Sequence, residues 1–209
     1  MNVVLIRSRR KTLTLTVNRR GEVVLRAPYG VKKSELERFL NGHQSWIEAR
    51  LAERNRNRID LADGSEHVLF GRRYVLANGR AGIADDILYL PQEDREKAFC
   101  EFLKKIAKSY MTETVRELAE KYGFTYRNVR ISSARGRWGS CSAKGTIGFS
   151  FRIAFLPPDI CRAVAVHELC HTRVFNHSKA YWLEVVKIVP DYATVRKTLK
   201  SYQYVMDYL

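Results

Sequence analysis

His167-Glu168-Leu169-Cys170-His171, followed after five residues by His177, holds three of the chain's five histidines. On a helix, with about 100° of rotation per residue, His167 and His171 lie about 40° apart on one face, one turn from each other. Both imidazoles can therefore reach one ion. Glu168 sits about 60° further round, near enough to hold a water on that ion without being a ligand, the arrangement a hydrolytic zinc site requires. Ala163, Val166, Leu169 and Cys170 fall on the other side and mark the face a core would cover. Two histidines four apart can also do no more than stabilise a helix face, so the flanking residues matter.

Pro157-Pro158-Asp159 reads as a helix start. The helix is expected to run through Ala163-Val164-Ala165-Val166 and stop near Asn176, a residue that tolerates the left-handed conformation of a C-terminal cap. That stop turns the chain so that His177 can approach the same ion. Three neutral imidazoles with an open fourth position describe a catalytic zinc site, whereas a structural site is closed by a fourth protein ligand. Glu184, thirteen residues after His171 in the next helical stretch (residues 178–189), is a rival third ligand. His177 is preferred, because neutral histidine is the commonest metal ligand and a ligand just past the helix end makes a short, stiff chelate. Otherwise Glu184 reads as a solvated helix charge. Asp191, in Pro190-Asp191-Tyr192, reads as the N-cap of the final helix, with a hydrogen bond to a ligand histidine as the alternative.

The 209 residues suffice for one sizeable core, or for a core domain with a smaller companion. A hydrophobic content of 45% and a charged content of 28% are those of a globular protein. No apolar run approaches the ~20 residues of a membrane span, and residues 1–11 lack the apolar region of a signal peptide. A cytoplasmic protein without a membrane partner is expected. Cys100, Cys141, Cys161 and Cys170 are scattered without a CxxC pair, which suggests reduced thiols rather than a cysteine metal site. The net charge of +15 is uneven: residues 1–58 carry 14 Lys+Arg against 5 Asp+Glu, a net +9, leaving +6 for the rest. This basic amino-terminal region attracts polyanions, with nucleic acid, nucleotide phosphates and acidic proteins all candidates. It also reads simply as a well-solvated surface, since no nucleic-acid motif accompanies it.

Thr12 to Val17 alternates polar and apolar residues, Asn18 to Gly21 reads as a turn, and Val23-Val24-Leu25 follows, so a hairpin is expected. Leu36, Phe39, Leu40, Trp46, Ile47 and Leu51 place one helix over about residues 32–57, with His43 as a surface or packing residue. Strands are expected at Val68-Leu69-Phe70, Tyr74-Val75-Leu76 and Ile87-Leu88-Tyr89-Leu90, and His67 is read as structural. Phe99, Phe102, Leu103, Ile106, Tyr110, Val115 and Leu118 predict a long amphipathic helix over residues 94–122, closed by Gly123 and placed behind the histidine helix. The expected division is a strand and helix subdomain at residues 1–90 and a catalytic core at residues 91–209.

Between that helix and the histidines, residues 129–150 carry glycines and alternating side chains suited to two or three short strands. Such an edge strand can wall a cleft and pair with an extended substrate. Trp138 and Ser140 are candidates for that wall, although Trp138 also reads as core and Gly139 as a bulge. Arg135 and Arg137 offer guanidinium forks for a phosphate or a carboxylate. Tyr181, Arg135 and the backbone of residues 138–141 are candidate substrate or oxyanion contacts.

Arg137-Trp138-Gly139-Ser140-Cys141-Ser142, Gly145-Thr146-Ile147, the histidine motif with Asn176-His177-Ser178 and Tyr181-Trp182, and Pro190-Asp191-Tyr192 together resemble the YgjP-like metal-dependent hydrolases. Arg9-Arg10-Lys11-Thr12-Leu13-Thr14-Leu15, Ala27-Pro28 and Trp46-Ile47 extend the resemblance over nearly the whole chain. The histidine stretch alone is also similar to SprT-like metalloproteases that act on proteins near DNA. The resemblance implies an α+β fold with a zincin-like catalytic core, the HExxH helix beside a small sheet and a long supporting helix. It further implies one zinc ion on His167, His171 and His177, with Glu168 as general base. Tyr181 stands where phenylalanine is expected, a departure that should leave packing nearly unchanged.

The leading expectation is a zinc metallopeptidase acting on a peptide or protein. A nucleoside triphosphate (UTP) pyrophosphatase using the same site ranks second, because the chain lacks a P-loop and a carboxylate cluster for magnesium. A basic nucleic-acid-binding adaptor with a structural zinc ranks third.

Overall fold

The structure, a computed structural model, describes residues 3–18, 21–56 and 59–208. The chain divides into two compact units, Met1–Ile59 and Asp60–Asp207.

In the first unit the alternating stretch forms β2 (Thr14–Val17), antiparallel to β3 (Val23–Pro28) in the register Thr14↔Arg26 to Val17↔Val23. The amide of Asn18 donates to the Glu22 carbonyl (2.9 Å), closing the expected turn, of which Arg19 and Arg20 lie outside the described residues. The turn alone does not complete the sheet. β1 (Val3–Ser8) lies on the other side of β3, parallel to it, so β3 is central and its Val23, Val24, Leu25 and Ala27 are buried. Leu25, Ala27 and Leu36 form a small core to which Leu13, Leu15, Phe39 and Leu40 pack.

The single helix expected over residues 32–57 is two helices, α1 (Lys33–Gly42) and α2 (Gln44–Arg56). Asn57 lies outside the described residues. The break comes at His43, which follows the weak helix former Gly42 and leaves the helical region at φ −117°, ψ 16°. The ring Nδ1 of His43 donates to the Phe39 carbonyl (2.8 Å), which satisfies an orphan acceptor of α1.

The second unit begins with a four-stranded sheet, β4 (Glu66–Leu69), β5 (Arg72–Asn78), β6 (Gly82–Ala84) and β7 (Ile87–Leu90), in the order β4-β5-β7-β6. Side chains alternate as the pleat demands: Leu69, Tyr74, Leu76, Leu88 and Leu90 are buried, while Val68, Val75 and Ile87 are exposed. His67 is buried, 3.1 Å from the Ser65 hydroxyl and against the Phe99 ring, a structural place.

This sheet was grouped by sequence with residues 1–90, but it belongs with the second unit, and the division falls after Ile59. The turn between β4 and β5 supplies the reason. The Phe70 amide donates to the Ala154 carbonyl (2.6 Å), the Phe70 ring stacks on Tyr110 at 3.9 Å, and Gly71 lies so close to Pro158 that a Cβ would come within 2.9 Å of its ring. The sheet is thus bolted to the start of the histidine helix.

α3 (Arg95–Tyr122) is the long helix expected, and it buries Phe99, Leu103, Ala107, Met111, Val115 and Leu118 along one ridge. It packs against α4 (Pro158–Cys170), against the 3-10 turn Phe151–Phe155, and against β8 (Asn128–Ser132). β9 (Gly139–Cys141) and β10 (Thr146–Ser150) complete a sheet in the order β8-β10-β9, with β9 at an edge. α5 (Lys179–Ile188), α6 (Tyr192–Ser201) and α7 (Gln203–Tyr208) follow. The fold class is mixed α and β, with the HExxH helix beside a small sheet and a long supporting helix. Among the described residues no helix is long and apolar enough to cross a membrane.

Gly123 ends α3 at φ 68°, and Phe124 donates back to the Ala119 carbonyl (3.0 Å). Only glycine adopts that backbone freely. Gly123→Ala is expected to cost about 1 kcal/mol and to lower Tm by about 2–4 °C in calorimetry; an unchanged Tm would contradict the cap.

Candidate metal centre

α4 starts at Pro158, where proline's fixed φ suits the first turn, and it is buried almost all round. Ala163, Val166, Leu169 and Cys170, the residues expected opposite the histidines, are between 0% and 2% exposed. The helix ends earlier than expected, at Cys170 with His171 as the C-cap, not near Asn176. The amides of Arg173 and Val174 both bond back to the Cys170 carbonyl (3.1 and 3.0 Å), where the chain rolls off the helix six residues sooner. Asn176 instead accepts from the Ser178 amide (3.3 Å), in front of α5.

The loop after Cys170 brings the third histidine back. The Nε2 of His177 is 3.2 Å from that of His171 and 3.2 Å from that of His167. These three side chains are the group of possible metal ligands among the described residues. Tetrahedral ligands about 2.0–2.1 Å from a zinc ion stand about 3.3 Å from each other, so the spacing fits such an ion. The protonation states fit as well. The Nδ1 of His171 faces the Val174 carbonyl at 3.1 Å, and a carbonyl only accepts, so the proton sits on Nδ1 and Nε2 presents its lone pair. Burial pushes the pKa of His167 down to about 4, helped by the other two histidines, and burial also lowers that of His171. Both rings are neutral at pH 7, as ligands must be.

His167 is fixed differently from His171. Its Nδ1 is buried and has no hydrogen-bond partner among the described residues. Aromatic rings hold it: Tyr192 stacks on it (5.6 Å, 18°), and Tyr181 and Trp182 stand 5.3 and 5.9 Å away. Trp182 also stacks on His177 (5.8 Å) and Tyr181 on His171 (4.4 Å). The Tyr181 hydroxyl donates to the His167 carbonyl (2.9 Å), satisfying an orphan acceptor in the last turn of α4. Tyr181, expected as a substrate or oxyanion contact, is fully buried, with its hydroxyl bonded to the helix.

Glu168 is 6% exposed, and burial raises its pKa to about 8, against the opposing pull of the Arg137 charge. It lies against β9. A Cβ on Gly139 would fall 2.4 Å from Glu168 Oε1 and 2.7 Å from its Cγ, so residue 139 must be glycine for the carboxylate to sit here. That requirement, and not the bulge read from sequence, explains Gly139.

The other candidates are dispersed. β9 pairs antiparallel with β10 as Gly139↔Phe149, Ser140↔Gly148 and Cys141↔Ile147. Ser150 donates to the Trp138 carbonyl (2.9 Å) and Ser142 to the Thr146 carbonyl (3.0 Å), so the hydrogen-bonded positions are 138, 140 and 142. The amides and carbonyls of Gly139 and Cys141 therefore point to the open edge. Ser140 faces away from Glu168, on the side of Gly148, where a Cβ would meet its hydroxyl at 2.7 Å. The backbone groups of its neighbours Gly139 and Cys141, not its side chain, lie at the open edge. Trp138 is half-buried just before the strand. Arg137 is exposed and near enough for its charge to act on Glu168, whereas Arg135 lines a separate cleft of about 550 Å³ beside the first turn of α3 and Arg152.

Glu184, the rival ligand, is engaged elsewhere, with Arg173 (3.2 Å) and Lys187 (2.6 Å). Asp191 caps α6 by accepting from the Thr194 amide (3.1 Å), as read from sequence. Trp182, Tyr192 and Arg173 were not singled out as site residues. The aromatic density of Tyr181-Trp182 and Tyr192 around the histidines was the available signal for the first two, and nothing in the sequence marked Arg173.

The YgjP-like, metallopeptidase domain family matches residues 11–202, and the chain belongs to that family. It is a metallopeptidase-family domain and so a metal-dependent hydrolase by kinship. No curated protein matches it. Among solved structures it is similar to the metallopeptidase zymogen of Pyrococcus abyssi abylysin, at 22% identity and a TM-score of 0.41, over 44% of this chain and 92% of that one.

With the three imidazoles as the ligand set, dialysed protein is expected to retain one metal equivalent by elemental analysis, and His167→Ala, His171→Ala and His177→Ala each to lose it. Full retention in His177→Ala would remove the third ligand from the set.

Proposed function

We propose that the chain is a zinc-dependent peptidase that hydrolyses peptide bonds, with His167, His171 and His177 holding the ion and Glu168 as general base. The observation that carries this reading is the placement of a buried carboxyl, next in sequence to a converging histidine, beneath the open edge of a strand. Bound zinc would supply Lewis-acid polarisation of the scissile carbonyl and would lower the pKa of a water from about 15.7 towards 7.

The chain's own residues supply the rest. Burial favours the protonated form of Glu168, so a proton taken up at its carboxylate is kept until the leaving amine can receive it. The Arg137 charge opposes that tendency and keeps the carboxylate form accessible. The outward amides and carbonyls of Gly139 and Cys141 can add an extended peptide to β9, and main-chain pairing of this kind accepts many sequences. Tyr181, Trp182 and Tyr192 hold the histidines and leave the edge strand to hold the substrate. The scattered, unpaired cysteines support a reducing, cytoplasmic setting.

Unstructured proteins such as casein are the test substrates, with UTP run in parallel. Glu168→Gln is expected to keep the metal and to lower peptide turnover by a factor on the order of 10³; release of pyrophosphate from UTP without peptide cleavage would overturn the peptidase reading. Gly139→Ala pushes on both Oε1 and Cγ of Glu168 and is expected to lower kcat at least about tenfold with the metal retained. Wild-type kcat in that variant would show that the contact is not needed.

A further inference from the structure

The loop that carries the chain from His171 to His177 has few main-chain ties. Amides 172, 173 and 174 bond to the carbonyls of Leu169 and Cys170, and among the described residues the next amide bond is that of Ser178 to the Asn176 side chain. The position of His177 therefore depends on what anchors the loop from outside.

Arg173 does so in three directions. Its Nη2 donates to the carbonyls of Tyr122 and Gly123 (2.7 and 2.9 Å), at the C-terminal end of α3. Its guanidinium lies 4.1 Å from the centre of the Phe124 ring. Its Nη1 donates to Glu184 Oε2 (3.2 Å) on α5, and the other oxygen of Glu184 accepts from Lys187. A cation at the negative end of a 28-residue helix is favourable, and carbonyls left over by the helix gain donors. A planar fork makes all these contacts at once, which an ammonium cannot. The flanking elements α3 and α5 are thereby joined through the one loop that links two of the histidines.

We infer that Arg173, braced by Glu184, is a positioning residue that sets the placement of His177 in the metal centre. The inference rests on the metal-centre reading above. The contacts of Arg173 are with α3, Phe124 and α5, so it acts through the loop, ordering it before the ion arrives so that binding need not do so. The residue that looked like a rival ligand thus contributes through a partner.

The test is zinc affinity of the metal-free full-length protein, by competition with a chromogenic chelator, together with the visible spectrum of the cobalt form. Arg173→Ala is expected to weaken zinc binding by about 10–100-fold, the range for groups that orient ligands, and to alter the cobalt bands through a displaced His177. Arg173→Lys should fall between Arg173→Ala and wild type. Glu184→Gln should still bind one equivalent at saturation, with affinity reduced a few-fold. Should Arg173→Ala fail to fold by circular dichroism, Arg173→Lys and Glu184→Gln decide by the same two readouts. Wild-type affinity and an unaltered cobalt spectrum in these variants, even with a lower Tm, would leave Arg173 a purely structural residue and overturn the inference. If wild-type protein binds no zinc, the metal-centre reading itself fails and this inference falls with it, an outcome distinct from tight wild-type binding matched by the variants.

Discussion

The Nε2 atom of His177 faces those of His167 and His171 at 3.2 Å each, and lone pairs at that distance repel unless a cation or a shared proton lies between them. Burial makes the proton costly, since it holds the pKa of His167 near 4. The cluster is therefore built for a metal cation, and the surrounding structure has to hold three rings together before the ion compensates them. Each ring is secured by a different means. His171 is fixed by a hydrogen bond to Val174, His167 by stacking on Tyr192, and His177 by Trp182 and by the anchored loop. Tyr181 touches all three rings and donates to the end of α4, which explains why a side chain with a polar tip is fully buried here.

Holding the rings requires holding α4, and the fold commits most of its second unit to that. The helix is buried against α3, which runs behind it, against β9, and against α5 and α6, which carry the aromatic residues. Even the four-stranded sheet takes part, through Phe70 and Gly71 at the helix start. A tightly packed helix has few alternative positions, so the spacing between its two histidines is inherited from the core.

What the sequence revealed, and what it hid, follows from how far each interaction reaches. The limits of α3, its glycine cap, the Asp191 cap and the burial of α4 are local matters of periodicity and capping, and they were legible. The end of α4 was not, because Asn176 suggested a cap while the chain left the helix through carbonyl bonds six residues earlier, at Cys170. The break at His43 was missed because the apolar spacing of Leu36, Phe39, Trp46 and Ile47 continues across it. The parallel pairing of β1 with β3 and the attachment of β4–β7 to the second unit join residues distant in sequence, and no local pattern encodes them. The convergence of the three histidines was readable from spacing. The bond of the Tyr181 hydroxyl to a carbonyl fourteen residues away has no local signal in the sequence.

Gly139 shows why a motif on one helix is an incomplete description of this site. The HExxH spacing fixes where Glu168 leaves the helix but not where its carboxylate rests. That is decided by β9, which comes within contact distance only because residue 139 has no side chain. The same close approach sets the open edge at Gly139 next to the carboxylate, so one steric condition places both the carboxylate and the strand edge. A larger residue at 139 would separate them together. The glycine in Trp138-Gly139-Ser140 and the glutamate in His167-Glu168-Leu169 are thus two halves of a single packing contact, and the site is defined by that contact as much as by the histidines.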